Sequence, residues 1–302
     1  MFTRITSDLM NTNLLSALNA TQQGQNQALT QVETNRRVNV PSDDPAAAAL
    51  FSINQAAGSS VTQYLQNINS LNGSLQVGDS ALSSAVTMIN RAITLGTSGA
   101  TGTLSAQDRA DLGQEVAQIQ QQMVGVANST FQGSYIFSGT AQGPAYVADA
   151  TQPDGVKYQG NAGTNNVEVA PGTQVQVNVP GSSIFQNAGG SVFQALHDLT
   201  TALNGNDPTG AQNAVTELNS ALDQLSSQRV FYGTTLDRLT TTNNFLQNEQ
   251  LNLTSQQTTL VGADLATALT QLTSSETARS AILEAAARIS QDSLLNVPGT
   301  GG

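Results

Sequence analysis

The most regular pattern in the chain is a line of apolar side chains at a constant spacing of seven residues. The line consists of Leu218, Leu225, Tyr232, Leu239, Leu246, Leu253 and Leu260. A second set of positions completes the alternating spacing of three and four: Leu222, Arg229, Leu236, Asn243, Gln250 and Gln257. This repeat is typical of a helix that packs along other helices in a coiled-coil-like seam. It predicts one long helix with a buried stripe.

Two earlier segments carry stripes of the same kind. The first stripe runs through Val61, Tyr64, Ile68, Leu71, Leu75, Gly78, Leu82, Ala85, Ile89 and Ala92. The second runs through Leu112, Val116, Ile119, Met123 and Val126, and Ser105 precedes it as a good N-cap. None of these helices can bury its stripe alone, so the simplest arrangement is one elongated helical bundle.

Residues 140–190 follow a different pattern. Short stretches alternate apolar and polar positions around Gly, Pro and Asn, which is typical of strands and turns. We therefore expect a mainly α fold, a coiled-coil-like bundle from 41–139 and 191–261, with a small inserted β domain. An insert with its own sheet is expected to make few obligatory contacts, so its deletion should leave the bundle folded.

Both ends of the chain have thinner apolar stripes, rich in Ala, Thr, Gln and Asn. Residues 1–40 and 262–302 are predicted to form a domain of terminal helices. A change in the register of the apolar stripe at 261–264 marks the start of its C-terminal segment. Such stripes bury little surface, so these segments should be largely disordered in the free monomer and fold during assembly. The expected contact residues for assembly or for a chaperone are Ile5, Leu9, Leu14, Leu18, Leu265, Leu269, Leu272, Ile282, Ile289 and Leu295.

The segment RRVNVPSDDPAAAALF, residues 36–51, admits two interpretations. Its arginines and aspartates could form an active site, or they could surround a helix start. Asp44 fits an N-cap and Pro45 the first helical position, with both Asp43 and Asp44 near the positive end of the helix dipole. Arg36 and Arg37 are then expected to pair with the aspartates or to contact another subunit. We predict a joint between domains.

The composition limits the possible functions. The chain has no Cys, one His and one Lys, and its charge is −11, so thiolate chemistry and multi-histidine metal sites are excluded. Nucleic-acid binding depends on clustered Lys and Arg, so it is not expected. No nucleophile, base or metal set is evident, and we expect neither catalysis nor a cofactor. No apolar run reaches 18 residues, and the N-terminus does not resemble a cleaved signal peptide.

Three separated stretches together resemble the bacterial flagellin superfamily. They are RRVNVPSDDPAAAA, DRADLGQEVAQIQQQMVGVANSTFQGSYIFSG and LVGADLATALTQLTSSETARSAILEAAARISQDSLL. The first is similar to the motif Gly-Lys-Arg-Ile-Asn-x-x-x-Asp-Asp-Pro-Ala, with Asn35 where glycine is common and Arg36 where lysine is common. The Arg-Glu-Leu-Ala-x-Gln motif usual in filament flagellins is absent. The stretches QGSYIFSGT and VKYQGN look most like the subgroup at the hook–filament junction.

This resemblance implies an architecture and a set of partners. Paired terminal helices would form an inner core, the bundle would surround it, and the β domain would face outward. The implied role is a structural one in the extracellular flagellum, after type III export without signal cleavage. Implied partners are further copies in a ring, a neighbouring hook-associated protein, flagellin and an export chaperone. A short filament flagellin is the alternative, and a surface adhesin a remote one.

Overall fold

The computed structural model describes residues 2–187 and 190–295. The chain divides into two compact units. One unit is formed by the two ends of the chain, up to Ser60 and from Gln250 onward, and we call it the terminal unit. The other is Val61–Glu249, the central unit. The division into three domains made from the sequence stays a prediction. Among the described residues, no helix is long and apolar enough to span a membrane.

Seven helices are described. Four of them are longer than 30 residues: α1 Phe2–Thr34, α2 Pro45–Gly99, α6 Pro208–Val261 and α7 Leu265–Leu295. The other three are α3 Ala106–Ala127, α4 Gly181–Phe185 and α5 Val192–Asn204. The predicted N-cap of α3 is confirmed, since the Ser105 hydroxyl oxygen accepts the Asp108 N–H at 3.1 Å. Ser191 accepts from Gln194 in the same way at the start of α5.

The predicted bundle seams are buried. In the central unit, Leu218, Leu225, Tyr232 and Leu239 of α6 have no exposed side-chain surface. The stripe of α2 is buried at Val61, Ile68, Leu71, Leu75, Gly78, Leu82, Ala85, Ile89 and Ala92. In α3, the inward positions are Val116, Ile119 and Met123, and this helix packs along α5. The mainly helical fold read from periodicity is confirmed.

The strands between α3 and α5 form four separate antiparallel hairpins. Their strands are β1 Thr130–Phe131, β2 Ser134–Tyr135, β3 Tyr146–Ala148, β4 Val156–Tyr158, β5 Asn166–Ala170, β6 Thr173–Gln176, β7 Gln186–Asn187 and β8 Gly190–Ser191. The first hairpin lies before residue 140, and no hairpin joins another in the described part of the chain. The insert therefore has no continuous sheet of its own.

The insert shares its core with the helices, which contradicts the expectation of few obligatory contacts. Tyr146 and Phe185 of the insert are buried against Phe193 of α5, with ring centroids 4.8 and 5.9 Å away. Gln224 of α6 donates to the Ile184 carbonyl at 2.7 Å. Two-stranded hairpins are marginal without packing, so these helices stabilise the insert and the insert covers them.

Candidate assembly site: the joint and the terminal helices

The turn before α2 is organised by two aspartates with different tasks. The Asp44 carboxylate accepts the Ala47 N–H at 3.0 Å, and its carbonyl accepts the Ala48 N–H. The predicted helix start at Pro45 is confirmed. Asp43 was expected to act on the helix dipole. Its carboxylate instead accepts the N–H groups of Asn39 and Val40, at 2.9 and 3.0 Å, and so closes the preceding turn.

The two arginines also differ. Arg37 binds the Asp44 carboxylate at 3.0 Å and the Leu260 carbonyl at 3.1 Å, and its N–H donates to Val261. Arg36 was expected to pair with an aspartate or to contact another subunit. In the single chain its guanidinium lies over the Phe51 ring, 4.9 Å from the centroid, and the contact with another subunit stays a prediction. A cation above an aromatic face is stabilised by the ring quadrupole. One arginine thus links the turn to the end of α6, and the other packs on α2.

A small apolar cluster lies beneath this turn. Val38, Ala47 and Val261 are buried, and Ala48, Phe51 and Leu260 pack against them. The chain enters the turn through Asn35, whose φ of 53° lies in the left-handed region. Asn tolerates that region better than most residues, which explains why it can stand where related sequences have glycine. The Asn35 carbonyl accepts the Ala263 N–H at 3.2 Å.

The register change at 261–264 coincides with a break between helices, because α6 ends at Val261 and α7 begins at Leu265. A domain boundary at this place stays a prediction. Asp264 caps α7: its carboxylate accepts the N–H groups of Ala266 and Thr267 and the Thr267 hydroxyl. Sequence reasoning did not single out Asp264. An aspartate directly before a run of good helix formers was the available signal.

Hydrogen bonds lower the pKa of all three aspartates below the ordinary value of 3.8. For Asp43 the main cause is the Val40 N–H, and then the Asn39 N–H. For Asp44 it is the Ala47 N–H, followed by the Arg37 side chain, and for Asp264 it is Thr267. These carboxylates are therefore ionised at neutral pH. Asp44 and Asp264 cap the two helix starts, and Asp43 closes the turn before α2.

The terminal helices α1 and α7 pack together through small side chains. Ala28, Ala268 and Ser275 are buried, and Gly24 lies against the Ser275 hydroxyl. Both segments are helical in the single chain. Their disorder in the free monomer was predicted from the thin stripes, and it stays a prediction.

Large apolar residues of the same helices remain exposed. Among the expected contact residues, Leu9, Leu265 and Leu269 are 58%, 43% and 49% exposed. The half-buried ones are Leu14, Leu18, Leu272 and Ile282. Sequence reasoning missed the exposed residues Met10, Leu15, Leu29 and Leu283. The side chains of Ile5, Ile289 and Leu295 lie outside those that the structure describes. Exposed apolar side chains in such number are typical of a surface that another protein covers.

The two ends of the chain match models of one protein family. The bacterial flagellin N-terminal helical region matches residues 5–142, and the C-terminal helical region matches residues 215–297. Together these matches cover most of the chain. The chain belongs to the bacterial flagellin family. The joint and the exposed terminal helices lie inside the matched regions.

Known relatives narrow the position within the flagellin family. The chain is 26% identical over 258 residues to flagellar hook-associated protein 3 of Salmonella typhimurium, which covers 78% of this chain and 80% of that protein. Among solved structures, FlgL of Xanthomonas campestris has a TM-score of 0.61 at 18% identity, covering 68% of this chain and 99% of that one. The flagellar junction protein FlgL of Legionella pneumophila has a TM-score of 0.60 at 15% identity, covering 70% and 100%. These structures share the fold of this chain.

Proposed function

We propose that this protein is a structural axial component of the bacterial flagellum and forms the junction between hook and filament. The observation that carries the proposal is the match to hook-associated protein 3 over most of the chain. The absence of the Arg-Glu-Leu-Ala-x-Gln motif of filament flagellins supports the same assignment. Its role is to connect two different polymers, and it needs no catalytic group.

The terminal helices are the surface through which the protein assembles. Leu9, Leu15, Leu269 and Leu283 are each about half exposed. A fully buried leucine contributes roughly 1.5–3 kcal/mol relative to an exposed one, so covering this surface would drive association. The partners are further copies of this chain in a ring, a neighbouring hook-associated protein on one side and flagellin on the other.

The terminal helices would also be the segments that an export chaperone recognises. The protein passes through the flagellar type III channel without signal cleavage and reaches an extracellular position. Before assembly, the apolar face of α7 is covered by an export chaperone. An amphipathic helix laid into an apolar groove is a common mode of recognition.

Gene deletion and complementation in the source bacterium test this proposal. The deletion strain is expected to form hooks without filaments and to release flagellin into the medium, and the wild-type gene should restore filaments. A variant with Leu269→Asp and Leu283→Asp is expected to fail to restore them, because it charges the exposed apolar surface. Thr270→Asp with Ser280→Asp is the matched control, since it adds the same two charges at exposed polar positions of α7. Normal filaments in the deletion strain would contradict the proposal.

The alternative of a short filament flagellin makes a different prediction about copy number. A junction ring needs few copies in each flagellum, whereas a filament needs thousands. Quantifying this protein against the hook protein in purified flagella distinguishes the two functions. A large excess over the hook protein would support the filament alternative.

A further inference from the structure

One of the two lines that form the seam of α6 is almost uniform in the central unit, since its seven-residue line is leucine at every position except Tyr232. The second line is Leu222, Arg229, Leu236 and Asn243. A seam of identical side chains looks the same after a shift of seven residues. Burial of such a seam therefore stabilises several alignments of α6 along α2, and another feature must select one of them.

Tyr232 fits its partner helix at one place. It has no exposed surface, and its ring lies against Gly78 of α2. A Cβ atom added at Gly78 would lie 2.5 Å from Cε1 of Tyr232, which is closer than packed atoms approach. The positions seven residues away on α2 are Leu71 and Ala85, and both have side chains that would meet the ring. Gly78 thus provides the space that the tyrosine needs.

A charged pair lies next to the ring. Arg229 occupies a seam position of α6, and its Nε and Nη2 donate to the two carboxylate oxygens of Asp79 at 3.0 and 3.4 Å. A shift of seven residues would place Arg229 beside Asn72 or Val86, and neither is an anion. The forked geometry of a guanidinium and a carboxylate makes such a pair specific in position.

Helix α2 carries very few charged residues, so the position of each one restricts how α2 can align with its neighbours. Along its whole length, Pro45–Gly99, the only charged residues are Asp79 and Arg91. Arg91 pairs with Glu115 of α3 at 2.6 Å. Each charge on α2 therefore meets an opposite charge on a different neighbouring helix. A single exposed ion pair contributes little stability, but it can still discriminate between alignments.

We propose that Gly78, Asp79, Arg229 and Tyr232 form a register lock that selects one alignment of α2 and α6. The glycine and the tyrosine exclude shifted alignments by steric overlap, and the ion pair favours the native one. The leucines stabilise the packed helices, whereas these four residues make one alignment of the helices more stable than the others. The lock is a property of the fold and does not depend on the proposed function.

Cysteine cross-linking tests the lock, because the natural chain has no cysteine. Asn54 of α2 and Gln256 of α6 are hydrogen-bonded through their side chains at 3.1 Å. The full chain with Asn54→Cys and Gln256→Cys is therefore expected to be cross-linked completely by a short bis-maleimide reagent, which spans the distance between two such side chains. In the same background, Asp79→Leu, Arg229→Leu and Tyr232→Leu together remove the ion pair and make the seven-residue line of α6 leucine throughout. We expect a partial loss of the cross-link in this variant, with helical circular dichroism retained.

Two control variants distinguish a change in helix alignment from a general loss of stability. Leu239→Ala removes a buried leucine one repeat away from Tyr232, and it should leave the cross-link complete although it lowers the thermal midpoint. Tyr232→Phe keeps the ring and should behave like the parent. A complete cross-link in the triple variant would overturn the proposal, and so would an equal loss in Leu239→Ala.

A charge swap covers the case in which the triple variant does not fold. Asp79→Arg alone places two arginines together and should reduce the cross-link. Adding Arg229→Asp recreates the pair with reversed polarity and should restore it. If Asp79→Arg leaves the cross-link complete, or if the swap fails to restore it, the ion pair does not select the alignment and the proposal is wrong.

Discussion

The central bundle and the terminal helix pair use the same residue types in opposite ways. In the central unit, the leucines of the seven-residue line of α6 point inward and are buried, while the outer face is mostly Thr, Ser and Gln with the exceptions Val230 and Phe245. In the terminal pair, the buried residues are Ala and Ser, and every leucine whose side chain is described is exposed or half-buried. A bundle with buried leucines is expected to be stable as a monomer, whereas a pair with exposed leucines is expected to need further partners. On the proposed function, the difference separates a folding core from an assembly surface.

The largest expected effect is on the shared core of the central unit. Phe185 is fully buried between Phe137, Tyr146 and Phe193. Phe185→Ala should lower the free energy of unfolding by about 3–5 kcal/mol, because it leaves a cavity that rigid rings cannot fill. Chemical denaturation of the purified protein measures this change. A loss below about 1 kcal/mol would show that the insert folds independently of the helices.

The leucine seam gives the next largest effect. Leu246 is 1% exposed, and Leu246→Ala should cost about 2–5 kcal/mol. Leu251 of the same helix is 68% exposed, so Leu251→Ala is the matched control and should change stability by less than about 0.5 kcal/mol. Equal effects of the two substitutions on the thermal midpoint would contradict the assignment of inward and outward faces.

The joint should respond to acid in a predictable direction. The folded-state pKa of Asp43, Asp44 and Asp264 lies below the unfolded value, which is about 3.9. Their contribution to stability is therefore complete above about pH 4 and is lost as the pH falls through the lowered folded values. Replacing all three with Asn should flatten this part of the stability–pH curve. An unchanged curve would show that these carboxylates do not stabilise the helix starts.

The smallest expected effect on the monomer comes from the terminal surface. Leu269→Asp changes a half-exposed residue, so the melting temperature of the monomer should stay within error of the parent. Assembly with flagellar partners should nevertheless be lost, since a charge would have to be buried without a partner. A lower melting temperature would indicate that Leu269 belongs to the monomer core.

The extent to which the sequence predicted the structure differed between regions for physical reasons. Strict spacing identified the buried line of α6, and Pro45 after Asp44 identified the start of α2, because both patterns depend on local geometry. The contacts of Arg36 with Phe51 and of Tyr146 with Phe185 join residues that belong to different elements and lie well apart in the chain. No periodicity encodes such pairs. The outward leucines Leu15 and Leu283 were missed because the assumed stripe followed a different face of each helix.

Hydrogen exchange on the purified full-length monomer tests the distinction between folding core and assembly surface most directly. The account predicts strong protection of the amides along α6 at Leu218–Leu239 and weak protection across α1 and the segment 265–288 of α7. Addition of a purified flagellar partner should raise the protection of the terminal helices selectively. Equally strong protection of both regions in the monomer would show that the terminal pair is already a stable core, and would contradict the account.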